Sequence, residues 1–287
     1  MRLVTYSVGP AGTARAGVRV GHRILDIESA SRVKGEPLPS SVKALLAAGR
    51  GAMSRVQALA KAATSGAGPF SHALHEERAV RLLPPVPDAD RFLRVGRDHR
   101  PQPDGRAGNA HSAEAAQEPA AFVKIGSRLV GQDAKVALPA GTARVDCEPE
   151  LVFVIGRHAL GVKKEDAMDY VAGVTILNDV PGFAPLGPEI VTMDEIADPY
   201  DLWMTCSVNG VERLRVNTRD QVGKLPDILE HYSRHGPLDP GDLFCAGATG
   251  GGAAGKAGLV LGPGDAIESS IEGVATLRTL VAAPGES

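Results

Sequence analysis

The sequence is poor in aromatic residues, in cysteine and in excess charge of either sign. Phe, Trp and Tyr together make up 4% of the 287 residues, which leaves few side chains on which nucleobases could stack. The 31 basic residues are balanced by 34 acidic ones, and the net charge of -3 excludes nucleic-acid binding through bulk positive charge. The three cysteines are widely separated and form neither a disulfide framework nor a zinc-binding pattern.

Long apolar runs are also missing. No segment approaches the roughly 20 apolar residues that a membrane-spanning helix needs. The N-terminus lacks the charged-then-apolar pattern of an export signal, so we expect a cytoplasmic protein in a reducing compartment. Apolar residues nevertheless make up 43% of the chain, enough for a substantial core in one large domain or in a small domain followed by a large one.

Three prolines between Leu82 and Asp88 indicate a junction between two domains. Short alternating segments before this junction predict strands at residues 3–8, 18–20 and 24–27. Apolar spacing of three and four residues then predicts a helical region from Ser41 to about Ala63, interrupted by glycines. We therefore expect a small N-terminal α/β domain over residues 1–85 and a larger domain over residues 88–284.

The larger part contains mainly strand and turn patterns. Apolar runs predict strands at 120–125, 151–155 and 174–177, with short helices at 164–171 and 225–235. Asn209-Gly210 between two apolar segments predicts a type I′ hairpin, because this turn needs positive φ at both positions. Residues 100–117 are polar and rich in Gly and Ala, which predicts a long loop.

Two glutamates flank a proline immediately before an apolar strand, in the segment Asp146-Cys147-Glu148-Pro149-Glu150-Leu151. Residues two apart point to the same face of a strand, so Glu148 and Glu150 would place two carboxylates side by side. Like charges repel unless a cation neutralises them, which favours a divalent-metal site. The alternative is a solvated edge strand, a position that suits Pro149.

Further candidate residues are weaker when each is taken alone. Asp179 follows an apolar strand and could supply a third carboxylate, although Asn and Asp also favour ordinary turns. His99 could act as a general base, although a lone His is more often a surface residue, and His111 with Glu114 is a second possible base.

The glycine-rich segment 250–257 nearly matches a phosphate-binding loop. It lacks the final Ser or Thr hydroxyl, and an apolar strand pattern follows where a helix is required. We therefore do not expect a nucleotide site here.

In this order and spacing, these segments together resemble the fumarylacetoacetate hydrolase family over nearly the whole chain. The strongest agreement runs from Arg91 to Val281. The segments that carry the resemblance are Arg97-Asp98-His99, Phe122-Val123-Lys124, Val145-Asp146-Cys147-Glu148-Pro149-Glu150-Leu151, Asn178-Asp179-Val180, Val208-Asn209-Gly210, Leu238-Asp239-Pro240-Gly241-Asp242 and Pro263-Gly264-Asp265.

The resemblance implies an α+β, β-rich fold: a C-terminal β-roll of mixed sheets with a small N-terminal α/β domain, usually as a homodimer. It implies that Glu148, Glu150 and Asp179 bind Mg2+ or Mn2+. It also implies a 2-oxo or 1,3-dicarbonyl acid as substrate, cleaved by C–C bond hydrolysis or decarboxylation through a metal-stabilised enolate. His99 would be the base, with His111 and Glu114 as the replacement pair, and Lys124 and Thr249 would bind substrate.

Three departures from the family pattern concern the substrate rather than the metal. Gln102 stands three positions after His99, where the family has a glutamate. Only four residues separate Val180 from the expected Pro185-Leu186-Gly187-Pro188 turn, so a segment of about twenty residues with three substrate-contacting side chains is missing. Thr249 is shifted by one position from the family's Thr-Gly-Thr-Pro. A second hypothesis is therefore a non-catalytic or repurposed scaffold that binds a ligand or partner in a biosynthetic pathway.

Overall fold

Strands form most of the regular structure in the computed structural model. It describes residues 1–65, 68–95, 121–123, 128–139, 148–180, 182–221, 223–248, 261–283 and 285–286. The strands are β1 Arg2–Val8, β2 Arg15–Val20, β3 Arg23–Asp26, β4 Leu74–Glu76, β5 Val80–Leu83, β6 Phe92–Val95, β7 Ala121–Val123, β8 Arg128–Val130, β9 Ala134–Ala137, β10 Pro149–Ile155, β11 Val171–Asn178, β12 Phe183–Thr192, β13 Trp203–Val208, β14 Val211–Asn217, β15 Leu243–Ala248, β16 Ala266–Ile271 and β17 Ala275–Ala282.

Helices are few and lie mainly near the N-terminus. The α-helices are α1 Ile27–Val33, α2 Val42–Ala47, α3 Gly49–Thr64 and α4 Leu225–His235. Short 3-10 helices occur at Gly68–Ala73, Glu77–Ala79, Lys164–Tyr170, Met193–Glu195 and Thr218–Asp220. No helix among the described residues is long and apolar enough to cross a membrane.

Two sheets organise the described chain. The larger has the order β4-β3-β2-β1-β12-β11-β10-β15-β6-β7, with β5 paired to β1 and β8 to β12. The smaller has the order β14-β13-β16-β17-β9. Both are mixed, because β15–β6, β12–β8 and β17–β9 pair in parallel and their other neighbours are antiparallel. The α+β, β-rich class expected from the sequence is confirmed.

Alternation along β10 separates the two largest clusters of the hydrophobic core. Val152 and Val154 face a cluster that contains Leu45 and Val56 of α2 and α3. Phe153 faces the opposite cluster, which contains residues of α4 and of the smaller sheet. Since β10 is buried on both sides, a charged residue on it has no access to bulk water and needs a partner within the protein.

The sheet is continuous across the expected domain junction. Leu3 of β1 pairs with Ile190 of β12, so the N-terminal strands extend the same sheet as the later ones. The division into residues 1–85 and 88–284 remains a prediction, and this pairing shows only that the two parts share one sheet.

Several local predictions are confirmed, with shifted ends. The hairpin at Asn209-Gly210 has positive φ at both residues, 51° and 77°, between β13 and β14. The helical region after Ser41 is two helices, because the helix is interrupted at Gly49, where φ is 80°. The other expected interruption, Gly51, lies inside α3.

The expected turn at residues 185–188 is wrong. These residues lie within β12, in the part of that strand that pairs with β11 and β8. Proline normally disrupts a central strand because it lacks an N–H group. Here the β11–β12 register shifts between Val174 and Ile176, and this irregularity accommodates the prolines.

Helix α1 was missed by the sequence analysis, and a buried carboxylate stabilises its start. Asp26 is 1% exposed and accepts the backbone N–H of Ser29 at 2.7 Å. It also accepts the Tyr6 hydroxyl at 2.5 Å and the Arg15 Nε–H at 2.5 Å. Burial alone would raise the pKa of Asp26, but the hydrogen bonds from Arg15, Tyr6 and Ser29 lower it below its usual range.

We predict that Asp26→Asn lowers the free energy of unfolding by about 3 kcal/mol, because it leaves a half-buried guanidinium without its carboxylate. The Asp26 contribution is present above the pKa of an unfolded aspartate, about 3.9, and is lost as the pH falls through the lower folded value. Urea unfolding from pH 7 to pH 2 measures both effects. Glu212→Gln, which removes an exposed ion pair with Arg215, should leave the urea midpoint close to that of wild type, because solvent screens such pairs. Equal effects of the two substitutions would contradict the prediction.

Candidate metal centre

Three carboxylates meet at one edge of the larger sheet. Glu148 precedes β10, Glu150 lies in β10 and Asp179 follows β11. Strands β10 and β11 are antiparallel with Pro149 opposite Asn178, so the start of one strand adjoins the end of the other. The Asp179 N–H donates to the Glu148 carbonyl at 3.1 Å and fixes this junction.

The three side chains are close enough to bind one ion. One carboxylate oxygen from each of Glu148, Glu150 and Asp179 lies within 4.8 Å of the other two. We call these three residues the carboxylate cluster. Among the described residues, it is the one group of three or more His, Cys, Asp or Glu side chains that meets this distance criterion.

A guanidinium lies among the three carboxylates. Arg94 Nη2 is 2.8 Å from Glu150 Oε1 and 3.3 Å from Glu148 Oε2, and Arg94 Nη1 is 3.1 Å from Asp179 Oδ2. Burial alone would lower the pKa of Arg94, but the charges of Glu150, Asp179 and Glu148 raise it, so the side chain stays protonated.

Sheet pairing explains how Arg94 reaches the carboxylate cluster. Strand β15 lies between β10 and β6, and Cys245 of β15 pairs with Arg94 of β6. The β10–β15 register shifts between Glu150 and Val152. Such irregularities redirect side chains and are frequent beside functional sites.

The central carboxylate is fully buried. Glu150 is 0% exposed, and the Cys245 thiol donates a hydrogen bond to its Oε2. The pKa of Glu150 is raised to about 7, mainly by burial. The charge of Arg94 and the Cys245 hydrogen bond act to lower this pKa, whereas the charges of Asp179 and Glu148 act to raise it. The protein therefore holds this carboxylate where its charged form is costly and where a cation would stabilise it.

The donor set fits a hard divalent cation. Carboxylate oxygens are the ligands that Mg2+ and Mn2+ prefer. Glu150 Oε1 is buried and has no hydrogen-bond partner within the described part of the chain, although Arg94 is in ion-pair range. An oxygen in this condition can accept a metal–ligand bond at little cost in lost hydrogen bonding.

The structure brings together the three predicted ligands but does not describe the other predicted site residues. His99, His111, Glu114, Lys124 and Thr249 lie outside the described ranges, as do the loop 100–117 and the glycine-rich segment 250–257. Strands β6 and β15 are parallel to each other and antiparallel to β10, so both end at the edge where β10 begins. The described parts of β6 and β15 therefore end at the edge that carries the carboxylate cluster.

Sequence reasoning missed two residues of this site, Arg94 and Cys245. Each is a polar residue in a short apolar strand, Phe92-Leu93-Arg94-Val95 and Leu243-Phe244-Cys245. An arginine in such a strand requires a buried acidic partner, and this was the available signal. Which carboxylate it meets depends on the β6–β15–β10 order, which the sequence does not contain.

We predict that Cys245→Ala lowers the free energy of unfolding of the metal-free protein by about 1–3 kcal/mol, because Glu150 Oε2 loses its buried donor. Cys245→Ser, which keeps a donor, should lose clearly less. Urea unfolding in the presence of a chelator measures both variants. If Cys245→Ser were as destabilised as Cys245→Ala, the hydrogen bond would not be the stabilising contribution of this side chain.

Comparison with known proteins identifies relatives along most of the chain. The family model described as fumarylacetoacetate hydrolase, C-terminal, matches residues 98–182 and 180–282. A mitochondrial oxaloacetate tautomerase of Xenopus laevis is 29% identical over 298 residues, covering 95% of this chain and 87% of that protein. A mitochondrial oxaloacetate tautomerase of Homo sapiens is 33% identical over 217 residues, covering 67% of each protein.

A solved structure is similar over almost its full length. It is a maleylpyruvate hydrolase from Sphingobium sp. SYK-6 in complex with a manganese(II) ion and pyruvate. The sequence identity is 28%, the TM-score is 0.74, and the match covers 99% of both chains.

Proposed function

Since this chain belongs to the fumarylacetoacetate hydrolase family, we propose that it is a divalent-metal-dependent enzyme acting on a 2-oxo or 1,3-dicarbonyl acid. The observation that carries the proposal is the convergence of Glu148, Glu150 and Asp179 on one point. The metal-containing maleylpyruvate hydrolase and the oxaloacetate tautomerases support it, because the substrates in their names are 2-oxo acids.

Glu148, Glu150 and Asp179 would hold a Mg2+ or Mn2+ ion. Bound there, the ion supplies a Lewis acid that stabilises negative charge on the oxygens of an oxo acid. The buried apolar side chains of β10 and β11 behind the cluster exclude water on that side. The same charge is therefore stabilised more strongly there than in water.

Other residues of the chain would supply proton transfer and substrate binding. His99 is the proposed base, with His111 and Glu114 as the alternative pair, and Lys124 and Thr249 are the proposed contacts for the substrate carboxylate. Hydrolysis needs a base to activate water, and keto–enol interconversion needs a base to move a proton between carbon and oxygen, whereas decarboxylation forms the enolate by loss of carbon dioxide and needs mainly stabilised enolate charge. Because Gln102 stands where the family has a glutamate three positions after His99, and because the substrate-contacting segment is shortened, decarboxylation requires the least of this chain. We expect it to act as a homodimer.

A second candidate function is a binding scaffold without turnover. The observation that favours it is the Arg94 guanidinium, which neutralises part of the carboxylate cluster without any metal. A scaffold of this kind would retain the cluster as a structural ion-pair network.

Turnover on a substrate panel separates the two candidates. We predict Mn2+-dependent loss of the enol absorbance for at least one acylpyruvate or β-keto acid, oxaloacetate included. Glu148→Gln and Glu150→Gln should each lower kcat/KM by at least about 100-fold, because the metal loses a charged ligand. The matched control is Glu268→Gln, at a partly exposed glutamate of β16 that lies outside the carboxylate cluster, and it should leave the rate unchanged.

Product analysis identifies the reaction, since carbon dioxide marks decarboxylation, two carboxylic or oxo acids mark hydrolysis, and an unchanged mass marks tautomerisation. Folded, metal-loaded protein that turns over nothing on the panel would favour the scaffold. Turnover that survives both glutamine substitutions would contradict the assignment of the metal ligands.

A further inference from the structure

We propose that Arg94 is an internal cation that occupies the carboxylate cluster in the metal-free protein and competes with the divalent ion for the same oxygens. This inference rests on the metal-binding part of the proposed function. It adds a regulatory element to that site: the affinity for the ion is set by how readily the guanidinium leaves.

Arg94 lies at the position that a bound ion would have to take. Arg94 contacts one oxygen of each member of the cluster: Glu148 Oε2, Glu150 Oε1 and Asp179 Oδ2. An ion bound by all three carboxylates must lie in the space between them, and the two terminal nitrogens of Arg94 lie within ion-pair distance of all three. The guanidinium and the ion therefore exclude each other at this position.

Glu150 has one carboxylate oxygen, Oε1, that does not already accept the Cys245 thiol. Its Oε2 already accepts the Cys245 thiol, so Oε1, which faces Arg94, is the oxygen left for an ion. Glu150 is fully buried in β10 and cannot turn to offer a different face. Of the two partners, Arg94 is the one that can move, since its side chain is long and 18% exposed.

The Arg94 guanidinium leaves polar atoms of the described residues unpaired when it occupies the cluster. Arg94 Nε is buried without a hydrogen-bond partner among the described residues, and the contact between Nη2 and Glu150 Oε1 does not satisfy Oε1. A site built only for arginine would pair these atoms, as Asp26 pairs two nitrogens of Arg15. The incomplete pairing lowers the cost of displacing the guanidinium.

Charge gives the direction of the effect. Among the described residues, the three carboxylates outnumber the one guanidinium that contacts them, so the metal-free cluster can stay assembled yet still attracts a divalent cation. Removing the guanidinium increases the negative charge and removes the competitor. Both changes strengthen ion binding.

The test is a titration of the full chain with Mn2+, in which electron paramagnetic resonance measures the concentration of free Mn2+ at each step. It compares wild type with Arg94→Met, which keeps an unbranched apolar side chain but removes the guanidinium and its charge. We expect Arg94→Met to bind Mn2+ at least about tenfold more tightly than wild type. The melting temperature of metal-free Arg94→Met should fall below that of wild type, and Mn2+ should raise it by more than it raises that of wild type.

Two further variants keep the test decisive. Arg94→Lys retains the charge but cannot bridge three carboxylates, so its Mn2+ affinity should lie between those of wild type and Arg94→Met; it also serves if Arg94→Met does not fold. Arg91→Met removes an arginine three residues away that pairs with Asp242 and controls for the loss of overall charge. Its Mn2+ affinity should equal that of wild type.

The outcomes separate this inference from the proposed function. If wild type and the Arg94 variants bind Mn2+ equally well, competition is excluded while the metal site stands. Weaker binding by Arg94→Met would also overturn the inference, since Arg94 would then be assisting the ion. If none of the folded variants binds Mn2+, both the inference and the metal-dependent function are overturned.

Discussion

The burial of Glu150 beside two further carboxylates is the constraint on which the rest of the site depends. A fully buried carboxylate costs free energy unless a cation compensates it, and two like charges nearby increase that cost. The chain brings a guanidinium to this point on a strand two positions away in the sheet. The strand order β11-β10-β15-β6 therefore also sets the spatial order of Asp179, Glu150, Cys245 and Arg94 across the sheet.

Arg94 also changes what the convergence of the carboxylates means. Three converging carboxylates without a cation would be strong support for a metal, because their repulsion would otherwise separate them. With a guanidinium among them, the same arrangement is also compatible with an ion-pair network. The buried Glu150 Oε1 adds structural support for a metal to this convergence, because the guanidinium approaches this oxygen without satisfying its hydrogen-bonding capacity.

Much of the fold and part of the site followed from the sequence. The family, the β-rich class, the Asn209-Gly210 hairpin and the positions of β10 and β11 were predicted and are confirmed. Local signals were sufficient there, because turn residues and apolar runs fix those elements. The error at Pro185 and Pro188 arose because a proline pattern looks local, whereas its tolerance in β12 depends on a register irregularity against β11. Arg94 and Cys245 were missed for the same reason: their function in the site comes from non-local strand pairing.

We propose that the carboxylate cluster is a divalent-metal site and that Arg94 occupies it in the absence of the ion. A crystal structure of the Mn2+-soaked protein, with anomalous data collected at the manganese absorption edge, would locate both groups. We expect one anomalous peak bound by Glu148, Glu150 and Asp179, with the Arg94 guanidinium displaced from its metal-free position. An absence of anomalous density at the cluster at saturating Mn2+, with Arg94 still bridging the three carboxylates, would contradict it.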